Sequence, residues 1–288
     1  MTGTPEPSDC VRCGGTVAPD GYCWDCGEAQ PAYRSHLETT LGTRAAGVSD
    51  RGKRRGLNAD AMALTTSGDW TIGVVCDGVS MSPRAERAAQ VATDVGAAHL
   101  TAGLRAGTLP ETVLGDAAVR AGRAVSALAA SVDEAPACTY VAGIAGPQGL
   151  WCSWIGDSRG YWLPDDGTCI ALTEDDSGQH GALTAWLGAS ADEPTEPVAR
   201  VRSYRPSGPG RLLLCTDGLT RHLSDAEQLR AVASARTRRS TPRDHSLLED
   251  ARALIGYAMD AGGQDNITAL LIHVGDTDHR ELPTPTSY

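Results

Sequence analysis

The sequence predicts an α+β fold in which antiparallel sheets are layered against helices. Three observations carry that expectation. Apolar runs come in pairs across short turn sequences, helical stripes fall in blocks between groups of strands, and 288 residues with 41% hydrophobic side chains can bury a substantial core.

Taken in order, residues 1–30 form a cysteine-rich module, 31–42 read as a linker, 43–275 as one globular region and 276–288 as a polar tail. Residues 69–76 alternate and are β-branched enough for a strand, and Ser82-Pro83 after them read as an N-cap and first-turn proline. The helix expected there carries Ala85, Ala88, Val91, Ala92, Val95 and Ala98 on one face and runs to about His99. A second helix starts near Pro110. Its stripe of Leu114, Ala117, Ala118, Ala121, Val125 and Leu128 has side chains small enough to lie close on a sheet. Residues 138–145 and 149–155 read as strands joined by a Gly-Pro-Gln-Gly turn, and 161–163 and 169–172 flank an Asp-Gly turn. Strands at 198–204, 211–215 and 267–274 and helices at 225–235 and 246–259 complete the pattern. Hairpins of this kind point away from a doubly wound parallel sheet.

Composition removes several function classes. No run reaches the roughly 18 apolar residues of a membrane span, and the polar N-terminus lacks the basic and apolar regions of a signal peptide, so the cytoplasm is the expected compartment. A formal charge of -11 argues against nucleic acid as a partner. Lys53 is the only lysine and phenylalanine is absent, which reads as the genome composition of a GC-rich bacterium.

The nine cysteines divide in two. Cys76, Cys138, Cys152, Cys169 and Cys215 sit in apolar runs and read as small core residues. Cys10, Cys13, Cys23 and Cys26 form two Cys-x2-Cys pairs, each followed by a glycine, Gly14 and Gly27, the pattern of a four-cysteine zinc ribbon. Two disulfides are the alternative, which a reducing cytoplasm disfavours. Four thiolates leave no open coordination position, so one structural Zn²⁺ is expected, its binding coupled to folding of the module. Arg12 is the module's only basic residue beside Asp9, Asp20, Asp25 and Glu28, which suits a docking protein, such as a kinase or regulator, better than DNA. Tyr22 and Trp24 are expected to be its small core.

Four acidic motifs stand at the ends of expected strands: Cys76-Asp77-Gly78, Gly156-Asp157-Ser158-Arg159, Thr216-Asp217-Gly218-Leu219 and Asp265-Asn266-Ile267-Thr268. Any one Asp-Gly pair alone reads as a turn. Several carboxylates on rigid strand ends, brought together, make a cage of hard oxygen ligands that suits Mg²⁺ or Mn²⁺.

The order and company of these motifs carry a resemblance. Arg55-Gly56-Leu57-Asn58-Ala59-Asp60, preceded by Asp50 and Gly52, resembles the Arg-x-x-Asn-x-Asp opening motif of the PPM (type 2C) metal-dependent protein phosphatases, and the four acidic motifs follow in that family's order. Residues 172–177, Trp186-Leu187-Gly188 and Gly262-Gly263 resemble further signatures, so that the likeness runs from about Gly47 to Val274. It implies a four-layer α-β-β-α sandwich of two antiparallel sheets flanked by helices. It also implies hydrolysis of phosphoserine and phosphothreonine in proteins, reversing Ser/Thr kinase signalling.

By the same resemblance, Asp77 bridges two Mn²⁺ or Mg²⁺ ions, the Gly78 carbonyl completes one, Asp217 and Asp265 hold the other, and Asp157 with Asp217 holds a third, weaker one. Such a pair supplies hydroxide for in-line attack on phosphorus. Arg55 pairs with phosphate oxygens, Arg54 being the alternative, while Asn58, Asp60 and Asn266 support the centre from behind, Asp60 by orienting its water. The chain departs from the family at three places. Ala59 stands where many members have Glu, Val79-Ser80-Met81 removes the histidine proposed as general acid in animal members, and only nine residues separate Ser177 from Leu187 where a flap subdomain is usual. Ala59, the missing flap and the zinc module motivate a second reading, a pseudophosphatase scaffold for phosphoproteins, against which the presence of Asp77, Asp217 and Asp265 decides for an enzyme, and the family's stress-response branch leaves open a phosphatase acting on a small phosphorylated regulator.

Overall fold

Central strands that are apolar on both faces need a layer on each side, and the computed structural model supplies both. It describes residues 10, 12–18, 21–28, 30, 35–131, 134–178, 182–188, 198–235 and 246–275. One sheet has six strands in the order β1 (His36–Leu41), β2 (Ala45–Asp50), β13 (Ile267–Val274), β12 (Gly210–Cys215), β8 (Arg159–Pro164), β9 (Ile170–Ala171). The other has five, in the order β11 (Arg200–Tyr204), β7 (Gly149–Ile155), β6 (Tyr140–Gly146), β4 (Trp70–Cys76), β3 (Ala61–Ser67). A short pair, β5 (Ala137–Cys138) and β10 (Leu187–Gly188), stands beside them. Every pairing between these strands is antiparallel.

Side-chain alternation along a strand sorts the core into three layers. Val75, Val141, Leu212, Leu214, Leu270 and Ile272 fill the space between the sheets. Ile72, Val74 and Ala142 point the other way, onto α1 (Ala85–Arg105) and α2 (Pro110–Ser126). Leu213, Ala269 and Leu271 pack against α5 (Leu247–Asp260) and α4 (Ala226–Ala233). The result is the four-layer sandwich. Each fully buried Leu or Ile in it contributes about 1.5–3 kcal/mol.

Three expectations need correction. The expected linker of residues 31–42 contains β1, whose alternating exposure is that of an edge strand paired with β2, and Glu38 on it binds Arg252 of α5 at 2.6 and 2.7 Å. Ser82 does not cap α1. Its hydroxyl donates to the Val79 carbonyl and accepts from the Ala137 N–H, stapling the loop to β5, and Arg84 at φ 51° takes the cap position. The helix runs on to Arg105, so its buried row is centred on Ala88, Ala92, Gly96, Leu100 and Leu104, with Val91 and Val95 at its margin and Ala98 exposed.

Candidate active site

Antiparallel register brings the acidic motifs together. Cys215 lies opposite Ala269, so Asp217, which opens the short helix α3 (Asp217–Thr220) after β12, and Asp265, just before β13, emerge at the same sheet end. Asp77 follows β4. Its N–H donates to Thr139 Oγ1 at 3.0 Å and its carbonyl accepts from the Thr139 N–H at 2.8 Å. The Thr139 hydroxyl lies 2.7 Å from Ser158 Oγ, which ties Asp77 to the loop carrying Asp157. Asp77, Gly78, Asp157, Asp217 and Asp265 line one cleft of about 270 Å³, with Met81 and Leu183 at its rim. Gly218 is obligatory here, because a Cβ would lie 1.9 Å from the Asn266 carbonyl oxygen.

The charges in this cleft are poorly compensated. Burial, then repulsion from Asp60 and Asp217, raises Asp77 well above the carboxylate range. Burial with repulsion from Asp217 pushes Asp157 up to about 6. Burial raises Asp217 too, against the pull of Arg221. Asp217 Oδ1 and Asp60 Oδ1 are buried with no hydrogen-bond partner. A crowd of hard oxygen donors with orphaned acceptors fits divalent cations of the Mg²⁺ or Mn²⁺ kind.

Asp60 sits behind that crowd and is fully buried. A directional chain fixes it: Asn58 Nδ2 donates to Ser49 Oγ at 2.9 Å, Ser49 to Thr268 Oγ1 at 2.8 Å, and Thr268 to Asp60 Oδ2 at 2.7 Å. Thr216 donates to the same oxygen at 2.9 Å. Burial nevertheless wins, and Asp60 is pushed up to about 7. Asn266 holds the opening motif in place, accepting from the Ala59 N–H at 2.9 Å and donating to the Arg51 and Leu57 carbonyls.

Arg55, expected to face phosphate, is bound edge-on to Asp265 through Nε at 2.6 Å and Nη2 at 2.8 Å. Burial would raise Asp265, but the hydrogen bonds and charge of Arg55 outweigh it and hold that carboxyl below its ordinary value. Arg221 is the functional residue that sequence reading missed. It bridges Asp217 Oδ2 and, at 2.9 Å, Asp265 Oδ2. Its signal was its place four residues after Asp217, one helical turn along.

The four N-terminal cysteines converge as their spacing predicts, with all four sulfurs within 4.8 Å of one another. Cys10 and Cys26 sulfurs are 3.7 Å apart and those of Cys13 and Cys23 are 3.5 Å apart. A disulfide needs about 2.05 Å, whereas tetrahedral Zn²⁺ with sulfur at about 2.3 Å sets its ligands about 3.8 Å from one another. In each Cys-x2-Cys turn the first cysteine's carbonyl accepts from the glycine after the pair, Gly14 or Gly27, both at positive φ. N–H groups of Arg12, Gly15 and Asp25 point at sulfurs. Burial opposes the Cys10 thiolate, but N–H donors of Cys13, Arg12 and Gln30 overcome it and hold the thiol down at about 6. Trp24 corrects an expectation: it is 74% exposed, at the tip of the second turn, and the buried Cys10 and Cys23 form the module's interior instead. Tyr22 lies under the Arg87 guanidinium of α1 at 5.7 Å.

Among the scattered cysteines, Cys76, Cys138, Cys152 and Cys215 are buried and Cys169 half-buried. The shortened segment between Ser177 and Leu187 is described in part. Ser177 pairs with Leu183, while residues 179–181, like the polar tail of residues 276–288, lie outside the described residues.

Residues 51–251 match the model of the protein phosphatase 2C family, and the chain belongs to that family. It is similar to the serine/threonine protein phosphatase PstP of Mycobacterium tuberculosis strain H37Rv, 31% identical over 261 residues, covering 83% of this chain and 46% of that protein. The serine/threonine phosphatase stp of Listeria innocua is 32% identical over 149 residues, 46% of this chain and 55% of its own. The chain thus spans about half the length of the curated relatives it matches. Among solved structures, the catalytic domain of PstP in complex with two manganese ions superposes with a TM-score of 0.62 at 28% identity, covering 80% of this chain and 98% of that one. The PPM Ser-Thr phosphatase MsPP of Mycobacterium smegmatis, in complex with cacodylate, gives 0.60 at 27% identity over the same shares.

Proposed function

We propose that this chain is a metal-dependent phosphatase that hydrolyses phosphoserine and phosphothreonine in proteins of a bacterial cytoplasm. The observation that carries the reading is the cleft in which strand ends bring Asp77, Asp157, Asp217 and Asp265 together in a family of phosphatases. Asp77, Asp217 and Asp265 with the Gly78 carbonyl would hold two Mn²⁺ or Mg²⁺ ions, and Asp157 with Asp217 a third. Bound there, such ions supply a water of lowered pKa and screen the phosphate charge.

The chain's own residues do the rest. Asp60, with Oδ2 occupied by two threonine hydroxyls, keeps a buried, unpaired Oδ1 behind the cleft that would accept from a water held there. Arg55 does not line the carboxylate cleft; its Nε and Nη2 are held edge-on by Asp265, which leaves Nη1 as the donor that would meet a phosphate bound beside Asp265. Substrate reaches an open cleft whose rim carries Met81, 94% exposed.

The N-terminal module, residues 1–30, binds one structural Zn²⁺ and presents Trp24 as a contact for a protein partner, with a kinase or its regulator as the expected class. No described helix is long and apolar enough to cross a membrane.

The test is Mn²⁺-dependent hydrolysis of an aryl phosphate and a phosphothreonine peptide by the native chain, Asp77→Ala and Asp217→Asn. Turnover that needs metal and disappears in both variants is expected. A folded, zinc-loaded native chain with no turnover and no Mn²⁺ uptake by calorimetry would leave the scaffold reading standing.

A further inference from the structure

Arg221 and Asp265 form a partition with a different cleft on each side. One side is the carboxylate cleft. On the other, about 420 Å³ opens between α3, the end of α5 and the loop before Asp60, walled by Arg54, Arg55, Arg221, His222 and Gln264. Three guanidinium groups face a single carboxylate there, Asp265, which is itself bound by two of them.

The third guanidinium is that of Arg54. Its backbone is fixed by a hydrogen bond from its N–H to the Gln264 carbonyl, so the side chain projects from an anchored point. Arg54 is exposed, and among the described residues neither its head group nor the half-buried His222 ring makes a hydrogen bond or ion pair. In a chain of formal charge -11, a concave surface of this sign is a local reversal, and it adjoins the place where a phosphate is expected.

We propose that this second cleft is an anion-binding subsite that receives a negatively charged side chain, Asp, Glu or a second phosphorylated residue, next to the phosphoresidue being hydrolysed. The proposal rests on the phosphatase reading of the carboxylate cleft. Arginine forks suit carboxylate and phosphate alike, so charge decides entry. The cleft walled by Arg54, Arg55 and Arg221 therefore adds a preference for substrates whose acidic or phosphorylated neighbour projects past Arg221.

The experiment compares phosphothreonine peptides that differ only at the neighbouring residues, carrying Ala, Asp or phosphoserine, in kcat/KM with Mn²⁺. We expect the charged peptides to be favoured about five- to tenfold, through KM and decreasingly as salt is raised. In Arg54→Ala/His222→Ala the ratio of charged to neutral falls to near one. Equal preference for Asp and phosphoserine supports a site for any anion, and preference for phosphoserine alone supports one for a dianion. A ratio near one in the native chain, or a ratio untouched by the double variant, overturns the subsite. Fluorescence anisotropy of the same peptides in chelator reads binding without turnover. If no aryl phosphate is hydrolysed, the phosphatase reading fails, and the binding arm still decides the subsite.

Discussion

The four-cysteine cluster and the carboxylate cleft are built in opposite ways. The cysteines come from 17 consecutive positions, Cys10 to Cys26, and two tight turns are enough to aim their sulfurs at one point. The carboxylates come from positions as distant as Asp77 and Asp265 and meet only because two sheets have already packed. The first site is thus assembled by local turns and, on the proposed reading, by the Zn²⁺ it would hold, while the second depends on the fold and is strained by its own charge.

The largest effect is expected at Asp77. Replacement by Asn removes a carboxylate proposed to hold both ions and should lower Mn²⁺-dependent turnover about 10³-fold or more. In chelator the same variant should melt no lower than the native chain, because the buried carboxylate it removes is crowded by other carboxylates. A large fall in melting temperature in chelator would mean that Asp77 holds the fold as well as the ion.

Next in size is Cys23→Ser. Measured by metal analysis of the purified protein, zinc should drop from about one per chain to near none. The variant should keep aryl phosphate turnover within about twofold, since the sandwich core contains none of the module's residues. Collapse of both together would show that the two sites fold as one.

The contrast also explains what was legible in the sequence. The cysteine cluster could be read from spacing alone, and so could strands with strong apolar runs such as β4, β7 and β13. Strands β2 and β3 were missed because Ala45–Asp50 and Ala61–Ser67 are short of large apolar side chains, and β1 because an edge strand with polar outer residues resembles a connector. The aspartates were found through the order of their motifs. Arg221 was not, because its contacts exist only once α3 brings it beside Asp265, and Trp24 was misjudged because an aromatic residue in a small module need not be buried when four converging cysteines occupy the interior.

Gly218→Ala tests the dependence of the cleft on packing more gently. The added methyl meets a backbone oxygen that cannot give, at a cost of about 1–3 kcal/mol. Gly256→Ala, inside α5 with nothing within 4 Å, should instead stabilise by about 0.5–1 kcal/mol. Chemical denaturation of the two variants should move in opposite directions. Equal effects would mean that the approach of α3 to the start of β13 is looser than the cleft requires.

The last contrast is a dependence on pH that runs in opposite senses at the two sites. A carboxyl whose folded pKa lies above its unfolded value holds its proton more tightly in the native state. The stability it contributes is complete below the unfolded value of about 4, and is lost as pH rises through the folded values, about 6 for Asp157 and about 7 for Asp60. Glu38, held down to about 2 by its hydrogen bonds to Arg252, works the other way but only below pH about 4. In chelator the melting temperature should therefore fall as pH rises from 4 to 8. Saturating Mn²⁺ should flatten that slope, because the ions replace the protons. The thiolate site behaves in reverse, since its ligands must lose protons to bind, and zinc should leave as the solution is acidified. A melting temperature in chelator that stays level from pH 4 to 8 would mean that the carboxylates share their charge with solvent, and that the cleft is not poised for cations in the way its buried, unpartnered oxygens imply.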